Sequence, residues 1–171
     1  MKFSLYQKEI QTSLNYCQGV IEKRSTLPIL SNVLINADNS ELTLTATDLD
    51  LIFIHTIKNV EIQETGSTTT SSSIMYDIIR KISSNKKINF SIVGEAKLNL
   101  ESENSIFNLN CINPLEFPLT EENFSANQFM INSKSLLKLL NKCKFSISND
   151  ETRHYLSGIF LHTTQINDKY Y

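Results

Sequence analysis

"TRHYLSGIFL", Thr152–Leu161, restates a stretch found much earlier in the 171-residue sequence, "TLPILSNVLI", Thr26–Ile35. The offset is 126 residues, and it extends without a gap over Phe3–Ile35 against Phe129–Leu161. Nine of those 33 positions are identical: Phe3/Phe129, Lys8/Lys134, Leu14/Leu140, Asn15/Asn141, Cys17/Cys143, Ile21/Ile147, Thr26/Thr152, Leu30/Leu156 and Ser31/Ser157. Others share character, such as Leu5/Ile131, Ile10/Leu136 and Val33/Ile159. A repeat of this length is a repeat of domains, because solenoid units run to only about 20–50 residues. It divides the chain into a first domain over 1–120, a linker over 121–128 and a second copy over 129–171. The second copy supplies one helix and about two strands before Tyr171, too little to close a core. The expectation is a protein cut short of its full length.

The pattern between the repeats is β-α-β-β-β, written twice. "FSL" opens as a strand, after which Ile10, Leu14, Cys17 and Ile21 recur at helical spacing, predicting a helix within 7–24. Pro28 biases Leu27 away from helix. "ILSNVLINAD" and "ELTLTATD" then read as strands around the turn "ADNSE", and "LDLIFIHTIKNVEI" reads as one further strand. After Gly66 the plan restarts. "STTTSSSIMYDIIRKISSNKK" gives a strand and a helix within 74–87 marked by Ile74, Ile78, Ile79 and Ile82, followed by strands "INFSIV", "AKLNLES" and "SIFNLNCI". Two helices and about eight strands in the first domain predict an α+β architecture, with the helices on one side of antiparallel sheet.

Net charge is −2, which argues at first against nucleic acid. Its distribution argues the other way. The helical segments 7–24, 74–87 and 134–146 carry +1, +3 and +4, leaving −10 for everything else. Helices lining one surface would then present a basic face within an acidic whole. In the third segment Lys134, Lys138 and Lys142 fall within roughly 80° of arc, opposite Leu136, Leu140 and Cys143. An ordinary solvated face would read similarly, but it usually mixes signs, and no Asp or Glu occurs from Asn123 through Asn149.

No apolar run approaches the ~18 residues of a membrane span, and "MKFSLYQKEI" lacks a secretory apolar core, so the cytoplasm is expected. The three cysteines have no metal-ligand spacing, and no metal or cofactor is expected. His55, His154 and His162 lack any Ser-His-Asp or Cys-His context, and four glycines leave no phosphate-cradling loop. An enzyme is therefore not expected. Asp48 and Asp50 could suggest a carboxylate pair; capping of a turn is the plainer reading.

"MKFSL", "RSTLPILSNVLI", "LTATDLDL" and "ETRHYLSGIFL", in this order and spacing, resemble the bacterial sliding clamps, the β subunits of DNA polymerase III. The resemblance covers essentially the whole chain. It implies three such domains per complete protein, joined head to tail as a homodimer into a ring around duplex DNA, with helices toward the hole. It further implies a non-catalytic tether that holds the DNA polymerase III catalytic subunit on its template and is placed by a clamp loader. Such a ring needs basic groups that touch phosphates without reading bases. Arg24 and Arg153 match DNA-facing positions of the family, with Tyr155 beside the latter. Lys23, Arg80, Lys81, Lys86, Lys87 and the row Lys134, Lys138 and Lys142 are further basic candidates from this chain's own pattern. Ser73 stands where many members have a basic residue, which weakens one phosphate contact. The resemblance also implies a subunit interface at Ile74, Ile78, Phe107 and Leu109, and part of a partner-peptide pocket at Tyr155 and Leu156. The competing reading is a stand-alone, sequence-independent DNA-binding or protein-interaction module.

Overall fold

A computed structural model describes residues 1–21, 27–94, 96–119, 130–150, 152–162, 164–166 and 169–170. They form two compact units, Met1–Glu121 and Glu122–Tyr171.

The first unit runs β1 (Lys2–Tyr6), α1 (Gln7–Cys17), β2 (Asn32–Asp38), β3 (Glu41–Thr47), β4 (Ile52–Lys58), β5 (Glu61–Glu64), β6 (Gly66–Ser71), α2 (Ser72–Ile79), β7 (Lys87–Val93), β8 (Lys97–Ser102) and β9 (Ser105–Ile112). All nine strands join in antiparallel pairs, in the order β4-β3-β2-β6-β9-β8-β7-β1-β5. Each β-α-β-β-β half lends its first strand to the other: β1 pairs with β7, and β6 with β2. The seam between the half-sheets is narrow. Only Thr69 and Thr70 of β6 pair with Ile112 and Cys111 of β9, and the threonine hydroxyls reinforce it by donating to the carbonyls of Ile112 and Asn110.

The core lies between this sheet and the two helices. Ile10, Leu14 and Cys17 of α1 and Met75 and Ile79 of α2 are fully buried with Phe3, Ile35, Leu44, Phe90 and Leu100 from the strands. Phe3 and Phe90, opposite each other on β1 and β7, stack with centroids 4.7 Å apart. The helices are antiparallel and tied at both ends. Gln7 Nε2 at the start of α1 donates to the Ile79 carbonyl at the end of α2, and Gln18 Nε2 just past α1 donates to Ser72 Oγ at the start of α2, each at 2.8 Å.

Several expectations need correcting. The single strand read over Leu49–Ile62 is two. Asn59 adopts φ 58°, Val60 turns inward with its N–H on the Ser40 carbonyl, and β5 crosses to the far edge beside β1. Among the described residues the first unit therefore has nine strands. Both helices are shorter than their apolar periodicity suggests. Beyond Cys17 and Ile79 the backbone tightens into bonds from residues three apart, such as Gly19 to Tyr16 and Ile82 to Ile79, so Ile21 and Ile82 belong to the turns that follow. Where close approach demands a glycine, Gly66 supplies it: at φ 147°, a Cβ there would lie 3.2 Å from that of Met1.

In the second unit, α3 (Ser133–Cys143) is capped by Asn132, whose side chain accepts from the N–H groups of Lys134 and Ser135. A two-strand ladder, β10 (Gln165–Ile166) with β11 (Lys169–Tyr170), follows. No α3 residue is buried. Leu136, Leu140 and Cys143 sit at repeat positions whose counterparts Ile10, Leu14 and Cys17 are sealed in the first unit's core.

Candidate nucleic-acid and subunit interface

Two apolar stripes run along α2. Ser72, Met75 and Ile79 form the buried one. Ile74 and Ile78 lie on the next strip of surface, four residues apart, with Ile74 53% exposed and Ile78 half-buried. They open onto a groove of about 450 Å³ lined also by Lys81, Ile82 and Phe107. The structure thus brings together Ile74, Ile78 and Phe107, three of the four residues implied for the subunit interface. Leu109 is a correction. Period two places it on the same face of β9 as Phe107, but it lies opposite Leu98 in the sheet interior and is only 7% exposed, so its side chain belongs to the core. Beside the groove, β9 has a bare flank. From Ser105 to Leu109 it pairs with β8 alone, since β6 reaches only Cys111 and Ile112 and, through the Thr70 hydroxyl, the Asn110 carbonyl.

The basic candidates are scattered. Lys23 and Arg24 lie outside the described residues. Arg80, at the C-cap of α2, pairs with Asp77 at 3.1 Å, with its guanidinium 6.0 Å from the Tyr76 ring centre. Lys86 pairs with Glu103, and Lys87 with Glu61 at 2.5 Å. That contact, first by hydrogen bonding and then by charge, together with the Ser4 hydroxyl, holds the Glu61 carboxyl below its ordinary range. Lys81 is exposed at the groove mouth. The idea that positive charge is gathered on the helices therefore holds for one helix of three. α1 carries one lysine and one glutamate and α2 a single aspartate, because the basic residues of those segments fall beyond the helix ends. In α3, Lys134, Lys138 and Lys142 are all exposed and no acidic residue accompanies them.

Arg153 immediately precedes the one-turn 3₁₀ helix His154–Leu156, of which Tyr155 is the middle residue. Arg153 Nε lies 3.6 Å from Asp150, whose carboxyl is pulled down by hydrogen bonds from the Thr152 hydroxyl and N–H. Tyr155 is 80% exposed and Leu156 is also on the surface. Asp48 caps a turn: its carboxylate accepts from the N–H groups of Asp50 and Leu51. Among the described residues, no three His, Cys, Asp or Glu side chains gather as metal ligands, and no helix is long and apolar enough to cross a membrane.

Sequence reasoning missed the aromatic patch on the opposite edge strand. Phe53 and His55 of β4 stack at 6.2 Å, both near the exposed Tyr16 ring of α1, while His55 Nδ1 lies 2.9 Å from Ser13 Oγ. The alternation of "IFIHTIK" put both residues on one face; nothing in it marked β4 as an edge.

Residues 1–121 match the family model for the DNA polymerase III beta subunit, N-terminal domain. The beta sliding clamp of Caulobacter vibrioides is 32% identical over 164 residues, covering 95% of this chain and 44% of that protein. That of Rickettsia felis is 31% identical over 169 residues, covering 99% and 43%. The crystal structure of the Caulobacter crescentus clamp superposes with a TM-score of 0.93 at 30% identity, covering 99% of this chain and 45% of that one. A clamp from Bartonella birtlesii gives 0.85 at 36% identity, covering 98% and 44%. The chain spans less than half the length of these relatives. By the match over its first unit, and by the sheet and paired helices that unit builds, the chain belongs to the DNA polymerase III beta subunit family, the bacterial sliding clamps.

Proposed function

We propose that this chain is the N-terminal domain and the start of the middle domain of a three-domain sliding clamp. The complete protein closes head to tail as a homodimer around duplex DNA, slides, and tethers the DNA polymerase III catalytic subunit after placement by a clamp loader. It performs no chemistry itself and works in the cytoplasm. The observation that carries the reading is the groove on α2 and β9, in a chain of the clamp family. Ile74, Ile78 and Phe107 line an apolar trough beside five residues of unpaired strand flank, Ser105 to Leu109, which suits strand addition by a neighbouring domain. The lysine row of α3 supports the DNA side, since a sliding ring needs phosphate contacts that carry no base readout. Lys23, Arg24, Arg80, Lys81, Arg153 and Tyr155 complete the proposed contact set.

The test is retention on DNA. The complete protein, loaded on nicked circular duplex, should stay bound through a salt wash and be lost when the circle is cut. Ile74→Asp, at an exposed position of the groove, should abolish retention while leaving the fold intact. Equal retention on linear and circular DNA would sink the ring in favour of an ordinary binder. For the present chain, any DNA affinity should be weak and indifferent to sequence, with a slope of about −0.9 in log K against log salt for each phosphate contact.

A further inference from the structure

The basic side chains offered to DNA divide into two groups by what already holds them. Among the described residues, Lys81 and the α3 row Lys134, Lys138 and Lys142 form no ion pair, whereas Arg80 and Arg153 each have an aspartate three residues earlier in the chain. Arg80 Nε lies 3.1 Å from Asp77 Oδ1, and Arg153 Nε lies 3.6 Å from Asp150 Oδ2. In both, the nearest nitrogen is the one at the base of the guanidinium fork. Both arginines and both aspartates are exposed.

Local structure holds each pair in place. Asp77 and Arg80 share a face at the end of α2, with the Tyr76 ring against the guanidinium and the Tyr76 hydroxyl donating to Asn15 Oδ1 of α1 at 3.2 Å. The Asp150 carboxylate accepts from the N–H and hydroxyl of Thr152, and its carbonyl accepts from the Arg153 N–H at 3.1 Å. The two Asp-x-x-Arg pairs are not copies made by the internal repeat. The 126-residue offset sets Arg153 against Leu27 and carries Asp77 beyond Tyr171. The same arrangement therefore stands at two unrelated places, both of them candidate phosphate contacts. Exposed pairs of this kind contribute little to stability. What they alter is the charge on offer: an arginine with its own carboxylate beside it presents almost no net charge to a phosphate.

We propose that Asp77 and Asp150 are built-in counter-ions, each holding the base of an arginine fork whose remaining N–H groups meet the DNA backbone. This rests on the DNA reading given above and adds to it a division of labour. An unpaired lysine that neutralises a phosphate expels the cation condensed there, and binding then weakens as salt rises. A paired arginine gives the phosphate hydrogen bonds with no such exchange of ions. The lysines of α3 hold the duplex by charge, while Arg80 and Arg153 touch it lightly enough to be passed from one phosphate to the next.

The experiment is titration of a labelled random-sequence duplex with the 171-residue chain over a series of salt concentrations, read by fluorescence anisotropy. Asp77→Asn and Asp150→Asn are compared with the parent, and Asp38→Asn serves as control, an exposed carboxylate that pairs with no basic side chain. Asparagine keeps the Oδ1 acceptor, so the turn at Asp150 survives the change. Each of the first two variants should bind more tightly at low salt and steepen the slope of log K against log salt by about 0.9, and the double variant by about 1.8. Asp38→Asn should leave the slope as it was. Unchanged slopes in the Asp77 and Asp150 variants overturn the proposal. Weaker binding by them also overturns it, since the carboxylates would then be orienting the arginines, and so does an equal steepening by Asp38→Asn, which would make the effect one of bulk charge. Arg80→Ala and Arg153→Ala separate this inference from the reading beneath it. If they weaken binding while the aspartate variants leave the slope alone, only the counter-ion role fails. If parent and variants all fail to bind the duplex at low salt, the DNA reading falls and this inference falls with it.

Discussion

Gln7 Nε2 lies 2.8 Å from the carbonyl oxygen of Ile79, so the first residue of α1 satisfies the last of α2. The same amide donates to Gln11 Oε1 at 2.9 Å, and the Gln7 side chain is buried. Helix C-termini leave their final carbonyls unpaired, and one buried without a donor forfeits the cost of its desolvation. Gln7→Leu should therefore lower the unfolding free energy by about 1–3 kcal/mol, read as a shift in the urea midpoint. A shift within error would mean that water replaces the amide.

Neighbours on α2 should behave very differently. Met75 is fully buried, and Met75→Ala should cost about 2–5 kcal/mol. Ile74 is more than half exposed at the groove, and Ile74→Ala should fall within about 0.5 kcal/mol of the parent. Thermal melts of the two variants settle it; a costly Ile74→Ala would place that side chain in the core instead of on a docking surface.

The Glu61–Lys87 pair sets a direction in pH. The carboxyl is held below its ordinary value of 4.5, chiefly by hydrogen bonding from Lys87. A depressed folded-state value stabilises the fold above the unfolded value and loses that contribution as pH falls through the folded one. Glu61→Gln should thus remove part of the acid dependence of the melting temperature below about pH 4.5 and leave the rest unchanged. Identical pH profiles for the two proteins would show that the pair, which is solvent-exposed, contributes nothing measurable.

Thiol labelling reads the two units separately. Burial pushes Cys17 up to about 12 and raises Cys111 as well, whereas Cys143 lies on the surface of α3. Since the thiolate is the nucleophile, Cys143 should react first, Cys111 more slowly, and Cys17 only on unfolding. Prompt labelling of all three would mean that the first unit's core is not closed.

A peptide carrying a clamp-binding motif should show no measurable heat of binding to this chain. It should bind the complete protein, with Leu156→Ala weakening that binding. Tyr155 and Leu156 stand exposed, and a peptide anchored by a few apolar side chains needs an enclosed site. Micromolar binding to residues 1–171 would relocate the pocket.

Much of this fold was legible from periodicity. The alternation of β2, β3, β7 and β8 places strands where the sheet has them, and Ile10, Leu14 and Cys17 share the buried side of α1, whereas residues 158–161, the 126-residue counterpart of the start of β2, are not strand. Period two could not tell Phe107 from Leu109, because burial along β9 depends on which neighbour covers each position. Nor could an apolar run show that Asn59 bends the chain, since Ile57 and Val60 are both buried on either side of it. The charge argument failed on α1 and α2 for a related reason. Counting over a window assigns Arg80, Lys86 and Lys87 to a helix that has already ended.

The exchange of first strands between halves has a price in time. Phe3 pairs with Phe90, so β1 leaves the ribosome long before its partner β7 has been made. At the usual 5–20 residues per second, the gap is on the order of ten seconds. Until β5 is made, Phe3 and Leu5, both destined for the interior, have no strand to lie against, and until β7 is made β1 has only that one neighbour. Long-range pairing of this kind slows folding, and a nascent chain in that state is the one most exposed to capture by a chaperone or by its neighbour on the same message.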